Sequence, residues 1–152
     1  MFQGNYVFPH QNLSNWDVSN VVSMAGIFRQ TNFNGDISTW DVSSVTNMFE
    51  TFWGNVKINQ DLSGWDVSNV TNMSQMFGYG SSFEGDISGW DVSNVTAMNM
   101  MFLGTHNFNQ DISGWDVSNV TDMSQMFYQS GGINQDLSSW DVSNVTTFSN
   151  MF

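Results

Sequence analysis

Phe108 to Phe127 reads FNQDISGWDVSNVTDMSQMF, and this phrase returns along the whole chain. Its centre, Trp-Asp-Val-Ser, begins at Trp16, Trp40, Trp65, Trp90, Trp115 and Trp140, at spacings of 24, 25, 25, 25 and 25 residues. A fixed period of this size predicts a stack of similar coils, each too small to bury its own apolar face. Counted from each Trp, the apolar positions form columns. Leu13, Ile37, Leu62, Ile87, Ile112 and Leu137 lie three before it. Val lies two and five after it in every coil, as in Val92 and Val95. Met or Phe lies eight after it, and Phe twelve after it, from Phe28 to Phe152. Seven before it stand Phe33, Ile58, Phe83, Phe108 and Ile133, with Pro9 in the first coil. These columns predict a continuous core ladder, with the aromatics supplying most of its area and Met filling the gaps.

Within the unit, Trp and the Val two residues on share a face at period two, which predicts a short strand such as Thr39 to Ser43. Asn119 to Phe127 spaces Val120, Met123 and Phe127 by three and four, which predicts a turn or two of α- or 3₁₀-helix. Thr121 and Ser124 offer local caps there. The expected fold is a repeat solenoid of leucine-rich-repeat type. It has one short parallel β-strand and one short helical or 3₁₀ segment per coil, in six coils. Strands stacked about 4.8 Å apart would give a rod roughly 30 Å long.

The 152 residues contain one Pro and no composition shift, so residues 1–152 read as one continuous solenoid. Met1-Phe2 and Met151-Phe152 fall at the same phase of the repeat, on large apolar residues. Solenoids need polar caps, so these ends suggest a segment of a longer array, or a unit that stacks end on end. No run of 18 apolar residues predicts a membrane span, and the N-terminal stretch does not resemble a signal peptide. Cys is absent, so thiol chemistry is excluded. The formal charge of −12, with only Arg29 and Lys57 as cations, argues against nucleic acid and anionic membrane surfaces as partners.

Twelve of the 14 acidic residues are Asp, and eleven of these form two columns. Asp17, Asp41, Asp66, Asp91, Asp116 and Asp141 follow each Trp; Asp36, Asp61, Asp86, Asp111 and Asp136 open the Asp-[Ile/Leu]-Ser step. With Trp and Val inward, the first column and the Ser beside it (Ser43, Ser68, Ser93, Ser118) form an exposed polar strip, a candidate binding strip for a protein or glycan. Like charges one coil apart repel, so something should offset the strain. Three readings stay open: Asp accepting turn N–H groups, calcium held between coils, chiefly by the column Asp36 to Asp136, and an acidic docking strip. Neither His10 nor His106 recurs, which disfavours a transition-metal ladder. Asn20, Asn69, Asn94, Asn119 and Asn144 form a further column, with Ser44 in the second coil. It predicts an inward Asn satisfying turn backbone; its Asn-x-Thr sequons read as by-products of repetition. No P-loop, Gly-x-Gly-x-x-Gly, His-Glu-x-x-His or Gly-x-Ser-x-Gly occurs, and the expectation is a non-enzyme.

The phrase Asn109 to Phe127 resembles the repeat of about 25 residues found in bacterial surface proteins of the BspA-like leucine-rich-repeat group. The resemblance covers essentially the whole chain. Coil one departs with Val22, coil six with Phe148, and Glu50-Thr51 interrupts the expected helical segment of coil two. It implies an extracellular or cell-surface protein used in structure or adhesion, with no catalytic residues and no obligatory cofactor. Partners would be surface proteins or glycans, or copies of the chain in a filament or sheath. A calcium-dependent glycan- or mineral-binding array is a further alternative. The connectors, such as Trp53 to Lys57 and Tyr128 to Gly132, vary most and are where specificity would differ.

Overall fold

The computed structural model describes residues 12–79 and 82–152. Equivalent residues of successive coils lie over one another. Phe28, Phe52, Phe77, Phe102, Phe127 and Phe152 form one stack, with centroids 5.5 to 5.8 Å apart. Trp65 and Trp90 stack at 6.5 Å with rings 2° from parallel. The Val, Ile, Leu and Met columns are buried around these rings.

The backbone differs from expectation. Among the described residues there is no helix and no named strand, only five isolated parallel bridges linking Ser23, Asn47, Asn72, Ala97, Asp122 and Thr147 in turn. The expected leucine-rich-repeat architecture, with a strand and a helical segment in each coil, is therefore wrong. Thr39 to Ser43 is not a strand but parts of two turns, and Asn119 to Phe127 carries a bridge followed by turns.

The reason lies in a five-residue phrase, polar–apolar–Ser–x–apolar, which occurs twice in every coil and a third time in coils three, five and six, with substitutions in the third copy of the other coils. In the third coil it reads Asp61-Leu-Ser-Gly-Trp65, Asp66-Val-Ser-Asn-Val70 and Asn72-Met-Ser-Gln-Met76. The first residue's Oδ1 accepts the backbone N–H of the Ser two residues on, at 2.9 Å for Asp61, 3.1 Å for Asp66 and 2.9 Å for Asn72. The apolar carbonyl then accepts the N–H three residues on: Trp65 to Leu62 at 3.0 Å, Val70 to Val67 at 2.9 Å, Met76 to Met73 at 3.2 Å. Each phrase is thus an Asx-turn wrapped around a β-turn. A short polar side chain that bonds the backbone two residues on competes with both helix and ladder. Trp and Val face inward because each closes a turn.

The third phrase also carries a left-handed residue, Gly26, Glu50, Gln75, Met100, Gln125 or Asn150. A residue of positive φ interrupts any right-handed helix. From there alternate N–H groups point to the next coil: Met48 to Asn72, Glu50 to Ser74, Phe52 to Met76 and Gly54 to Gly78, at 2.7 to 3.1 Å. The N–H groups between them close turns within the coil. Glu50-Thr51 interrupts nothing: Glu50 pairs with Arg29 at 3.3 Å, and buried Thr51 donates its hydroxyl to Met48 O at 2.8 Å.

The shorter first period is absorbed in a connector. Phe33 follows Phe28 by five positions, whereas Ile58 follows Phe52 by six. Buried Asn55 ties that longer connector back, donating to Thr31 Oγ1 at 3.2 Å and Phe33 O at 3.1 Å.

Candidate functional site: the acidic turn face

Both Asp columns are exposed, and in each the carboxylate builds a turn. In the first column, Asp17, Asp41, Asp66, Asp91, Asp116 and Asp141 accept the N–H of Ser19, Ser43, Ser68, Ser93, Ser118 and Ser143 at 3.0 to 3.1 Å. Asp36, Asp61, Asp86, Asp111 and Asp136 do the same at 2.9 to 3.0 Å. The hydroxyls of Ser43, Ser68 and Ser93 also donate to their own Asp at 2.6 Å. The strip's serines thus spend their one donor internally. What the face offers outward is carboxylate and hydroxyl lone pairs, with backbone groups already engaged.

These bonds set the electrostatics. The Ser hydroxyl, then the Ser N–H, hold the carboxyls of Asp17, Asp36, Asp41, Asp91, Asp111, Asp116 and Asp136 below the ordinary carboxylate range. For Asp61 and Asp141 the backbone N–H is the larger cause. Neighbouring carboxylates push back: Asp17 on Asp41, and Asp116 on Asp91 and Asp141. For these three carboxyls the turn hydrogen bonds are the larger influence, and the net direction is down. Among the described residues no three His, Cys, Asp or Glu side chains come together as a metal site. His106 instead lines an open recess of about 610 Å³ with Phe127, Gln129, Ile133 and Phe152.

The Asn column departs from expectation. Asn69, Asn94, Asn119 and Asn144 are exposed rather than inward. Each donates Nδ2 to a Ser carbonyl of the preceding coil at 2.8 to 2.9 Å. The Thr two residues on does likewise: Thr71 Oγ1 reaches Thr46 O at 3.2 Å and Thr121 Oγ1 reaches Thr96 O at 3.1 Å. Thr121 and Ser124 cap no helix; Ser124 donates to Asp122 at 2.6 Å. The sequon pattern therefore coincides with an inter-coil clamp.

Periodicity gave no hint of a second clamp. Each buried indole Nε1 donates to the carbonyl that opens the preceding coil: Trp40 to Leu13, Trp65 to Ile37, Trp90 to Leu62, Trp115 to Ile87 and Trp140 to Ile112, at 2.9 to 3.2 Å. Of the expected assembly ends, Met151 is buried and Phe152 is 72 % exposed. Met1, Phe2 and His10 lie outside the described residues. No helix among the described residues is long and apolar enough to cross a membrane.

No curated protein and no solved structure matches the chain. A family model described as "Mycoplasma protein of unknown function, DUF285" matches twice, over residues 1–94 and 80–152. The two matches together run the length of the chain, and the chain belongs to that family.

Proposed function

We propose that the chain is a non-catalytic repeat of a cell-surface protein, serving as a structural or adhesive array. One observation carries this reading. The Asp columns recur from coil to coil with each carboxylate accepting a turn N–H within its own coil, and the Ser43, Ser68 and Ser93 hydroxyls are donated to those carboxylates. Catalysis needs unlike groups converging at one place; here each group meets copies of itself. The resemblance to BspA-like surface repeats supports the same reading. Treating intact cells that express the full-length protein with an impermeant label or protease tests the location. The repeat should be labelled or cleaved while cytoplasmic markers stay protected. Protection of the repeat until lysis would refute the surface assignment.

A further inference from the structure

Every Trp but one belongs to the core column; the seventh is Trp53. Two of the three Tyr residues, Tyr79 and Tyr128, also stand outside the apolar columns. All three occupy one edge of the stack, thirteen or fourteen residues after the coil's Trp. The inter-coil ladder there is unbroken: Gln30 N–H to Trp53 O, Gly54 to Gly78, Tyr79 to Leu103 and Gly104 to Tyr128, at 2.7 to 2.9 Å. Tyr79 is 50 % and Tyr128 38 % exposed, and Trp53 is partly exposed. The Trp53 ring lies so close to Gly78 that a Cβ there would come within 2.4 Å of it. Tyr79 stands perpendicular to Trp53 at 4.8 Å and borders Gly104.

Tyr79 sits at a left-handed position of the coil. Its φ is +51°, and the same position carries Gln30, Gly54, Gly104 and Gln129 at +54°, +65°, +67° and +59°. Glycine takes that conformation freely, whereas a bulky aromatic is costlier there, and half of Tyr79 still faces solvent.

We propose that this edge binds a neutral, hydroxyl-rich saccharide chain, with Trp53, Tyr79 and Tyr128 as apolar platforms and Gln30 and Gln129 as polar contacts. Flat aromatic faces with a few amide donors and acceptors suit a ligand whose rings are apolar on their faces and hydroxylated at their rims. Gln30 and Gln129 are exposed at the same position as Tyr79, two coils away on either side. The one cation of this edge, Arg29, is paired with Glu50 at 3.3 Å, so the strip is close to neutral. A molecule of charge −12 repels polyanionic glycans.

The proposal deepens the adhesive reading, and the two fail separately. Binding by a chain shown to be intracellular would remove that reading and leave the strip. A surface-exposed chain that binds none of the probes would do the reverse. The test is calorimetric titration of the intact chain with neutral hexasaccharides of glucose, galactose and N-acetylglucosamine. Heparin stands as the polyanion control and choline as the cation that aromatic edges also attract. At least one hexasaccharide should bind saturably, and more tightly than either control. Tyr79→Gly should weaken that binding about tenfold or more, the scale of losing an aromatic contact, while melting no lower than the parent. Should Tyr79→Gly melt lower, Tyr128→Ala, at an exposed side chain, must show the same loss. Tighter binding of heparin or choline, undiminished binding by the variant that decides, or no hexasaccharide binding at all would overturn the proposal.

Discussion

At the residue scale, the decisive interaction is a carboxylate or amide oxygen accepting the N–H of the Ser two places on. Coil four lacks one copy. Ala97 stands where Asn72 and Asp122 accept from Ser74 and Ser124 at 2.9 and 2.8 Å. Ala97→Asn should supply the missing acceptor and raise stability by about 0.5–1 kcal/mol in a denaturant titration. Asn is preferred to Asp because Asp122 is bridged directly across from that position. No gain, with unchanged m-value, would show that the Asx-turn follows the fold rather than supporting it. The acidic columns make a further prediction. A carboxyl whose folded-state pKa lies below its unfolded value adds stability above the unfolded value, about 3.9 for Asp. That stability is lost as pH falls through the folded-state value. Asp17, Asp36, Asp41, Asp61, Asp91, Asp111, Asp116, Asp136 and Asp141 are all lowered. The melting temperature should therefore hold through neutral pH and fall as the medium is acidified below pH about 4. At neutral pH, added salt should raise it by screening repulsion between coils. A melting temperature that rises on acidification would mean that repulsion, not turn bonding, dominates the face.

At the scale of one coil, the periodic columns were legible because burial copies itself from coil to coil. Trp40, Trp65, Trp90, Trp115 and Trp140 are all buried, as are Val45, Val70, Val95 and Val120. The backbone was less legible. A Trp and a Val two residues apart share a face in a strand, and they also share one when each closes a turn. The signal separating the two was Asp-x-Ser, twice in succession before the Asn-Met-Ser-Gln-Met stretch of coil three, where a strand or helix would gain nothing from it. The indole clamp was not legible, because composition says nothing about where Nε1 points. Trp90→Phe measures it. Leu62 O keeps the Trp65 N–H at 3.0 Å, so the substitution leaves no buried carbonyl without a partner. The loss should be moderate, about 1–3 kcal/mol from one hydrogen bond plus lost ring volume. Trp90→Ala should cost about 3–5 kcal/mol. Equal losses would assign the whole role of the column to the indole clamp, and no loss for Trp90→Phe would assign it to apolar packing. The aromatic edge was half legible: the connectors were visible as the variable segments, but the perpendicular packing of Tyr79 on Trp53 and the alignment of Trp53 with Gly78 arise only in the folded chain.

At the scale of the molecule, stability should be a sum over coils and the junctions between them. Removing residues 91–115 joins Trp90 to Asp116 and restores the phrase WDVSNVT without shifting any column. Each lost junction is replaced by one of the same kind: indole to carbonyl, Asn to Ser carbonyl, Phe upon Phe. That variant should remain folded with a single, lower melting transition. Removing residues 91–114 leaves Trp90 followed by Trp115, one residue too many inside a turn. The first coil does depart from the 25-residue period by one, but its shortfall lies between Phe28 and Phe33, in a connector whose ends Thr31 pins through Phe28 O at 2.8 Å. Inside Asp-Val-Ser-x-Val no such slack exists, because Asx acceptor, Ser donor and apolar carbonyl are set at fixed offsets. Placing both indoles inward would therefore break the Asp116 turn, and placing one outward would expose a large aromatic and lose its clamp. The 24-residue deletion should lose cooperative melting and near-ultraviolet dichroism from the Trp stack, although it removes less of the chain. Two deletion variants that melt alike would mean that the columns are not in fixed register, and that a generic apolar collapse holds the molecule together.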